Sequence, residues 1–225
     1  MERTYPIGTP GKPWDAADKR TWFEAQAPAR SYRDEVLSKL KGLDDSIEVF
    51  QYGALPVDNV RYPLMGIKVV SGEAGAPWAL ITGGVHGYET SGVQGALAFV
   101  RGQAAAYRGR VNLLVLPCVS PWGYEVIQRW NPSAVDPNRS FCASGRSEEA
   151  LAVMALLEAL GVDFRMHMDL HETTDTDESE FRPALAARDG EAFEPGSIPD
   201  GFYTVGDANN PQAEFQAAIV AGVEK

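Results

Sequence analysis

Two short apolar runs, Trp78–Thr82 and Val111–Val119, constrain this chain more than any other feature. Neither alternates with polar residues, so each reads as a strand buried on both faces. Such strands belong to sheets with a helix layer on either side. Between the two runs, the stretch from about Tyr88 to Arg101 carries Val93, Leu97, Ala98 and Val100 and reads as a helix. Strand, helix and strand in that order place two strands side by side in an α/β sheet.

The remaining elements extend the same pattern. Ile47–Tyr52 and Val60–Val70 read as strands of a hairpin, closed by the turn over residues 71–77. Phe164–His171 alternates strictly, with Phe164, Met166, Met168 and Leu170 on one face and Arg165, His167, Asp169 and His171 on the other. Ser147 is placed to cap a helix whose first turn holds Glu148 and Glu149 and which stops at Gly161. A helix is expected over Thr21–Leu43, behind an irregular lead-in of residues 1–18, and another over Gln212–Val223. The expectation is a three-layer α/β sandwich with a mixed, mostly parallel central sheet. Residues 45–225 form its catalytic domain, preceded by an N-terminal extension over residues 1–44.

Charge narrows the partners. Thirty-one acidic residues against 20 Lys and Arg leave a net charge of −11, which disfavours nucleic acid and anionic membrane surfaces. The apolar runs are too short to span a bilayer, and residues 1–6 carry no apolar run behind their charges. A soluble, cytoplasmic protein is expected. Cys118 and Cys142 cannot build a disulfide scaffold or a four-cysteine metal site, and they read as two buried thiols.

The chain has only three histidines. His86 follows a buried strand and two glycines, with Glu89 three residues on, where an imidazole nitrogen and a carboxylate oxygen can converge on one ion. His171 ends the alternating strand. Ligand sites in open α/β sheets lie at the carboxyl ends of strands. A His-Glu-His set with a fourth position left for water is an open zinc site suited to hydrolysis. The plainest reading of His167 is a strand residue satisfied by its neighbours.

Between these positions lie Ser120-Pro-Trp-Gly123, Arg129-Trp-Asn131 and Asp136-Pro-Asn-Arg139. With the His86/Glu89 pair and the strand-end His171, they resemble, in order, the motifs of the M14 family of zinc metallocarboxypeptidases, over roughly residues 45–175. Asp169–Asp175 looks especially like its cytosolic-type branch. The resemblance implies one zinc ion per chain held by His86, Glu89 and His171. It implies that Asp136 orients the first histidine, that Arg129 meets the oxyanion, and that Asn138 and Arg139 hold the terminal carboxylate of a peptide substrate. The family's general base is a Glu on a late strand. Glu214 and Glu224 fit that role poorly, and a chain incomplete at its C-terminus is expected. Two other readings compete with the peptidase. One is a zinc-dependent deacylase of N-acyl amino acids, of the aspartoacylase and succinylglutamate desuccinylase group. The other is a non-catalytic module that binds zinc and peptide. The acidic run from Glu172 to Glu180 reads as a solvated loop that could also draw cationic substrates.

Overall fold

The computed structural model describes residues 4–223. Its strands are β1 (Ile47–Ala54), β2 (Pro63–Val69), β3 (Trp78–Gly83), β4 (Asn112–Leu116) and β5 (Phe164–Leu170). They form one mixed sheet in the order β1-β2-β4-β3-β5. The first two pairings are antiparallel, and β3 runs parallel to both β4 and β5.

The pleat decides which helix each strand residue meets. Ala79, Ile81, Leu113 and Val115 turn to one side and share a core with Val93, Ala96, Leu97 and Val100 of a helix over Thr90–Gly102. Leu80, Leu114 and Leu116 turn to the other side, against Val153 of a helix over Glu148–Leu160. The sheet is therefore a middle layer, as its doubly apolar strands require. Each fully buried Leu or Val adds about 1.5–3 kcal/mol relative to exposure.

The N-terminal segment departs from expectation. Instead of one helix over residues 21–43, the chain forms α1 (Ala16–Glu24), α2 (Tyr32–Glu35) and a 3-10 turn over Leu37–Leu40. Pro28 explains the break, because it lacks an N–H and pushes the residue before it out of helical geometry. α1 starts early because the Asp15 carboxylate accepts from the N–H groups of Ala17 and Asp18, and Asp18 returns the bond to Asp15. Trp22 is fully buried, with ring centroids 5.9 Å from Trp122 and 5.5 Å from Trp130. Residues 5–40 thus share the core of the sheet.

The β1–β2 hairpin forms, but residues 55–62 close it and residues 71–77 lead into β3. Asp58 makes that turn by accepting from the N–H groups of Val60 and Arg61. β4 ends at Leu116, short of the expected Val119, because Pro117 cannot donate to a ladder. In order, the helices after α2 are α3 (Thr90–Gly102), α4 (Pro121–Val126), α5 (Glu148–Leu160), α6 (Arg182–Asp189) and α7 (Ala213–Val223). α5 is capped by Ser147 and ends on a left-handed Gly161, as its sequence implies. No described helix is long and apolar enough to cross a membrane. Cys118 is buried as expected, whereas Cys142 is exposed, and both are free thiols.

Glu149, in the first turn of α5, is fully buried and bonded to Ser147 Oγ at 2.6 Å and Asn131 Nδ2 at 3.3 Å. Burial raises its carboxyl pKa above the ordinary 4.5, against the pull of Ser147 and Asn131. The folded chain then holds this proton to higher pH than the unfolded chain does, so the group costs stability as pH rises above 4.5. Glu149→Gln is expected to melt at higher temperature than the parent at pH 7, with the gain shrinking toward pH 4. A lower melting temperature at pH 7 contradicts this.

Candidate metal centre

The parallel pairing of β3 with β5 sets Gly83 opposite Leu170, so the residues that follow these strands emerge side by side. After Gly83 the backbone turns at a left-handed Gly84 (φ 59°) and runs as a short loop to Glu89, the residue that precedes α3. His86, Glu89 and His171 meet there, with one ligand atom from each within 4.8 Å of the others.

Both histidines present Nδ1 inward. Glu89 Oε1 lies 2.8 Å from His86 Nδ1 and 2.9 Å from His171 Nδ1. Both Nε2 atoms are held from behind, His86 by Asp136 Oδ1 at 3.0 Å and His171 by Asp169 Oδ2 at 2.6 Å. Carboxylates behind imidazoles fix ring orientation and raise ligand basicity. Glu89 Oε2 is buried without a hydrogen-bond partner among the described residues. A buried carboxylate oxygen left unanswered is costly unless a cation completes it. A donor set of two nitrogens and a carboxylate, with no thiolate, fits a divalent metal of the zinc type.

Electrostatics point the same way. Burial alone would lower the His171 pKa, but Asp169 and Glu89 outweigh it and push the group from 6.5 up to about 10. His86 is raised for the same reason, its burial overcome by Asp136 and Glu89. Glu89 stays below the ordinary carboxylate range because the two imidazoles outweigh its burial. Surroundings that hold a proton this firmly also favour a metal cation in its place.

No protein-family model matches the sequence, and no curated protein matches it. Solved structures do match. A candidate metallopeptidase from Shewanella amazonensis SB2B aligns at 27 % identity and a TM-score of 0.53, over 63 % of this chain and 54 % of that one. A second, from Shewanella denitrificans OS217, aligns at 26 % identity and 0.53, over 63 % and 52 %. A metallo-carboxypeptidase from Burkholderia cenocepacia aligns at 20 % identity and 0.52, over 72 % and 42 %. The chain has a metallocarboxypeptidase-like fold. It spans about half the length of the two Shewanella proteins.

Around the triad, the other sequence-derived residues fall as follows. Arg129 donates from Nε to Asp136 Oδ2 at 3.2 Å and from Nη1 to Asp177 Oδ1 at 3.3 Å. Asp136 therefore joins Arg129 to His86, and it also caps the 3-10 turn Pro137–Arg139 by accepting from Asn138 N at 2.9 Å. A cavity of about 920 Å³ has Arg129, Asp136 and Arg139 in its wall; none of the three triad residues lines it, and Asp136, bonded to His86 Nε2, connects the two. Asn138 sits on the same turn but not on that wall. His167 bonds Thr82 Oγ1 at 2.9 Å, as a satisfied strand residue should. Glu214 is on α7, which buries none of its residues, and Glu224 lies outside the described residues.

Most of the acidic run after His171 is engaged within the fold. Glu172 accepts from Ser91 N and Oγ, Asp177 from Tyr88 and Arg129, Glu178 from Arg182 and Glu180 from Tyr5. The expected solvated loop is in part a π-helical turn over Asp177–Phe181 with Asp177 and Phe181 buried, and these carboxylates brace it rather than present charge to a ligand.

Two supporting residues were missed in the sequence. Asp169 shares the β5 face with His171, two residues away, so the strand's alternation could have revealed it. Arg30 donates to Tyr124 O at 2.5 Å, Thr90 Oγ1 at 2.5 Å and Gly87 O at 2.7 Å, and it stacks 3.5 Å from the Tyr124 ring centroid. One guanidinium thus ties the loop between His86 and Glu89 to α4. Its acceptors lie 57 or more residues away in sequence, so no local pattern marks it.

Proposed function

We propose that this chain carries the metal-binding part of a zinc hydrolase that releases C-terminal residues from peptides. The observation that carries the reading is the inward pair of Nδ1 atoms around Glu89, each imidazole braced by its own carboxylate. His86, Glu89 and His171 would hold the metal. A zinc ion there supplies a Lewis acid for the scissile carbonyl and lowers the pKa of a bound water toward neutrality.

The other roles belong to side chains of this chain. Asp136 and Asp169 keep the imidazoles in the tautomer that offers Nδ1. Arg129, fixed by Asp136 and Asp177, puts a permanent positive charge at the cavity wall for the oxyanion that develops in the reaction. Asn138 and Arg139 take the terminal carboxylate, Arg139 from the wall with a fork suited to two oxygens. A deacylase of N-acyl amino acids would use the same triad.

The test uses the full reading frame. Metal analysis is expected to give one zinc per chain, and incubation with free peptides is expected to release single C-terminal residues. Hydrolysis of N-acyl amino acids without residue release would favour the deacylase. Absence of bound zinc after loading would sink both enzyme readings.

A further inference from the structure

The apolar run Trp78–Thr82 that builds β3 contains a single hydroxyl, and it is buried. Thr82 is 3 % exposed. A valine would suit the same strand position and would bring no hydroxyl to satisfy. The hydroxyl is engaged across the sheet. Thr82 is the partner of Asp169 in the parallel β3–β5 register. Its Oγ1 donates to Asp169 Oδ1 at 2.6 Å and meets His167 Nε2 at 2.9 Å. The other oxygen of that carboxylate, Oδ2, holds His171 Nε2 at 2.6 Å.

Counting protons gives these contacts a direction. A hydroxyl has one proton and a carboxylate can only accept, so the Thr82 proton goes to Asp169. His167 must then donate from Nε2 to the Thr82 oxygen. On the far side, Asp169 Oδ2 takes the Nε2 proton of His171 and leaves the Nδ1 lone pair of that ring facing Glu89. Each oxygen of Asp169 therefore has its own donor, and the carboxylate cannot rotate without giving one of them up. Thr82 also stands four residues before His86, on the strand that leads into the metal loop.

We infer that Thr82 is a positioning residue for the metal centre, its hydroxyl fixing the Asp169 carboxylate and, through it, the His171 ring with Nδ1 toward the metal. The inference rests on the metal-ligand half of the function proposed above and deepens it. It gives His167 a place as well, as the ring that donates to the Thr82 oxygen. One buried hydroxyl thus joins the strand that leads to His86 and Glu89 to the strand that ends at His171. Thr82 touches neither metal nor substrate, so its effect falls on metal affinity.

The test measures the zinc affinity of the full reading frame by competition with a chromogenic chelator, with a melting curve beside each variant. Thr82→Val is expected to weaken zinc binding by about 3- to 10-fold, less than the roughly 10- to 100-fold typical of a residue bonded directly to a ligand. Thr82→Ser keeps the hydroxyl and should bind zinc like the parent, although its smaller side chain leaves a gap and lowers the melting temperature. Packing alone gives the opposite order, because valine fills the site and serine does not. In an Asp169→Asn background, Thr82→Val should add little, since both act along one line. A second measurement needs no variant. Ring-nitrogen NMR of the zinc-loaded parent at about pH 8, above the ordinary histidine pKa of about 6.5, should place the His167 proton on Nε2. Zinc binding by Thr82→Val equal to the parent overturns the inference, and so does Thr82→Ser binding as weakly as Thr82→Val. A His167 proton on Nδ1 overturns it too. A parent that binds zinc but releases no C-terminal residue removes the peptidase reading and leaves the role of Thr82 in place. A parent that binds no zinc removes both.

Discussion

Replacing His171 with alanine is expected to abolish stoichiometric zinc binding while leaving the protein folded. The triad offers three ligand atoms, so its loss leaves only His86 and Glu89. The loss also strips Glu89, 1 % exposed, of one of the two imidazoles that hold its Oε1, while its Oε2 already has no partner. Removing a residue that merely supports a ligand costs about 10- to 100-fold in metal affinity, and removing the ligand itself should exceed that. Asp169→Asn gives the comparison, because it keeps the imidazole and weakens only its brace. His171 suits this test better than His86. Its side chain is 35 % exposed at the end of an edge strand, whereas that of His86 is 3 % exposed. Zinc content after dialysis and competition against a chromogenic chelator report the affinity, with a melting curve as the folding control. Full zinc occupancy in His171→Ala would remove the assignment.

What could be read from the sequence divides by range. β3, β4 and α3 are legible because apolar runs and helical spacing are local signals, and the pleat of Leu80, Ile81, Leu114 and Val115 follows from period two alone. The triad is legible because two of the three histidines end strands beside carboxylates. Asp136 needed a resemblance, since no local rule connects it to a residue 50 positions away. Arg30 was invisible for the same reason. The acidic residues after His171 read as a solvated loop because they are contiguous, yet Asp177–Phe181 form a π-helical turn with Asp177 buried, and partners distant in sequence engage most of the run. A contiguous run looks like a patch whether or not folding consumes it. In this fold Tyr5, Tyr88, Ser91, Arg129 and Arg182 consume most of it.

Adding one methyl group at Gly87 is expected to damage both the fold and the site. A Cβ there would sit 1.9 Å from Gly123 C, 2.2 Å from Tyr124 N and 2.4 Å from Gly123 Cα. All three are backbone atoms, so no rotamer change relieves the clash, and the loop and α4 must move apart by more than an ångström to reach the 3.4 Å of ordinary contact. That movement breaks the Arg30 clamp, which depends on Gly87 O and Tyr124 O lying within reach of one guanidinium. It also shifts His86 and Glu89, which flank the glycine. Overpacking a core costs about 1–3 kcal/mol when side chains can adjust, and a clash confined to backbone should exceed that range. Gly95→Ala is the control. It lies in α3 with nothing within 4 Å of its would-be Cβ, and alanine is favoured over glycine in a helix by about 1 kcal/mol. Neither glycine has a positive φ, so the two variants add the same methyl and differ chiefly in what it meets. Denaturant unfolding should show a large loss for Gly87→Ala with weakened zinc binding, and no loss for Gly95→Ala. Equal stability of the two variants would mean that the loop and α4 do not pack this closely, and that the metal loop is held by its ligands rather than by the fold beneath it.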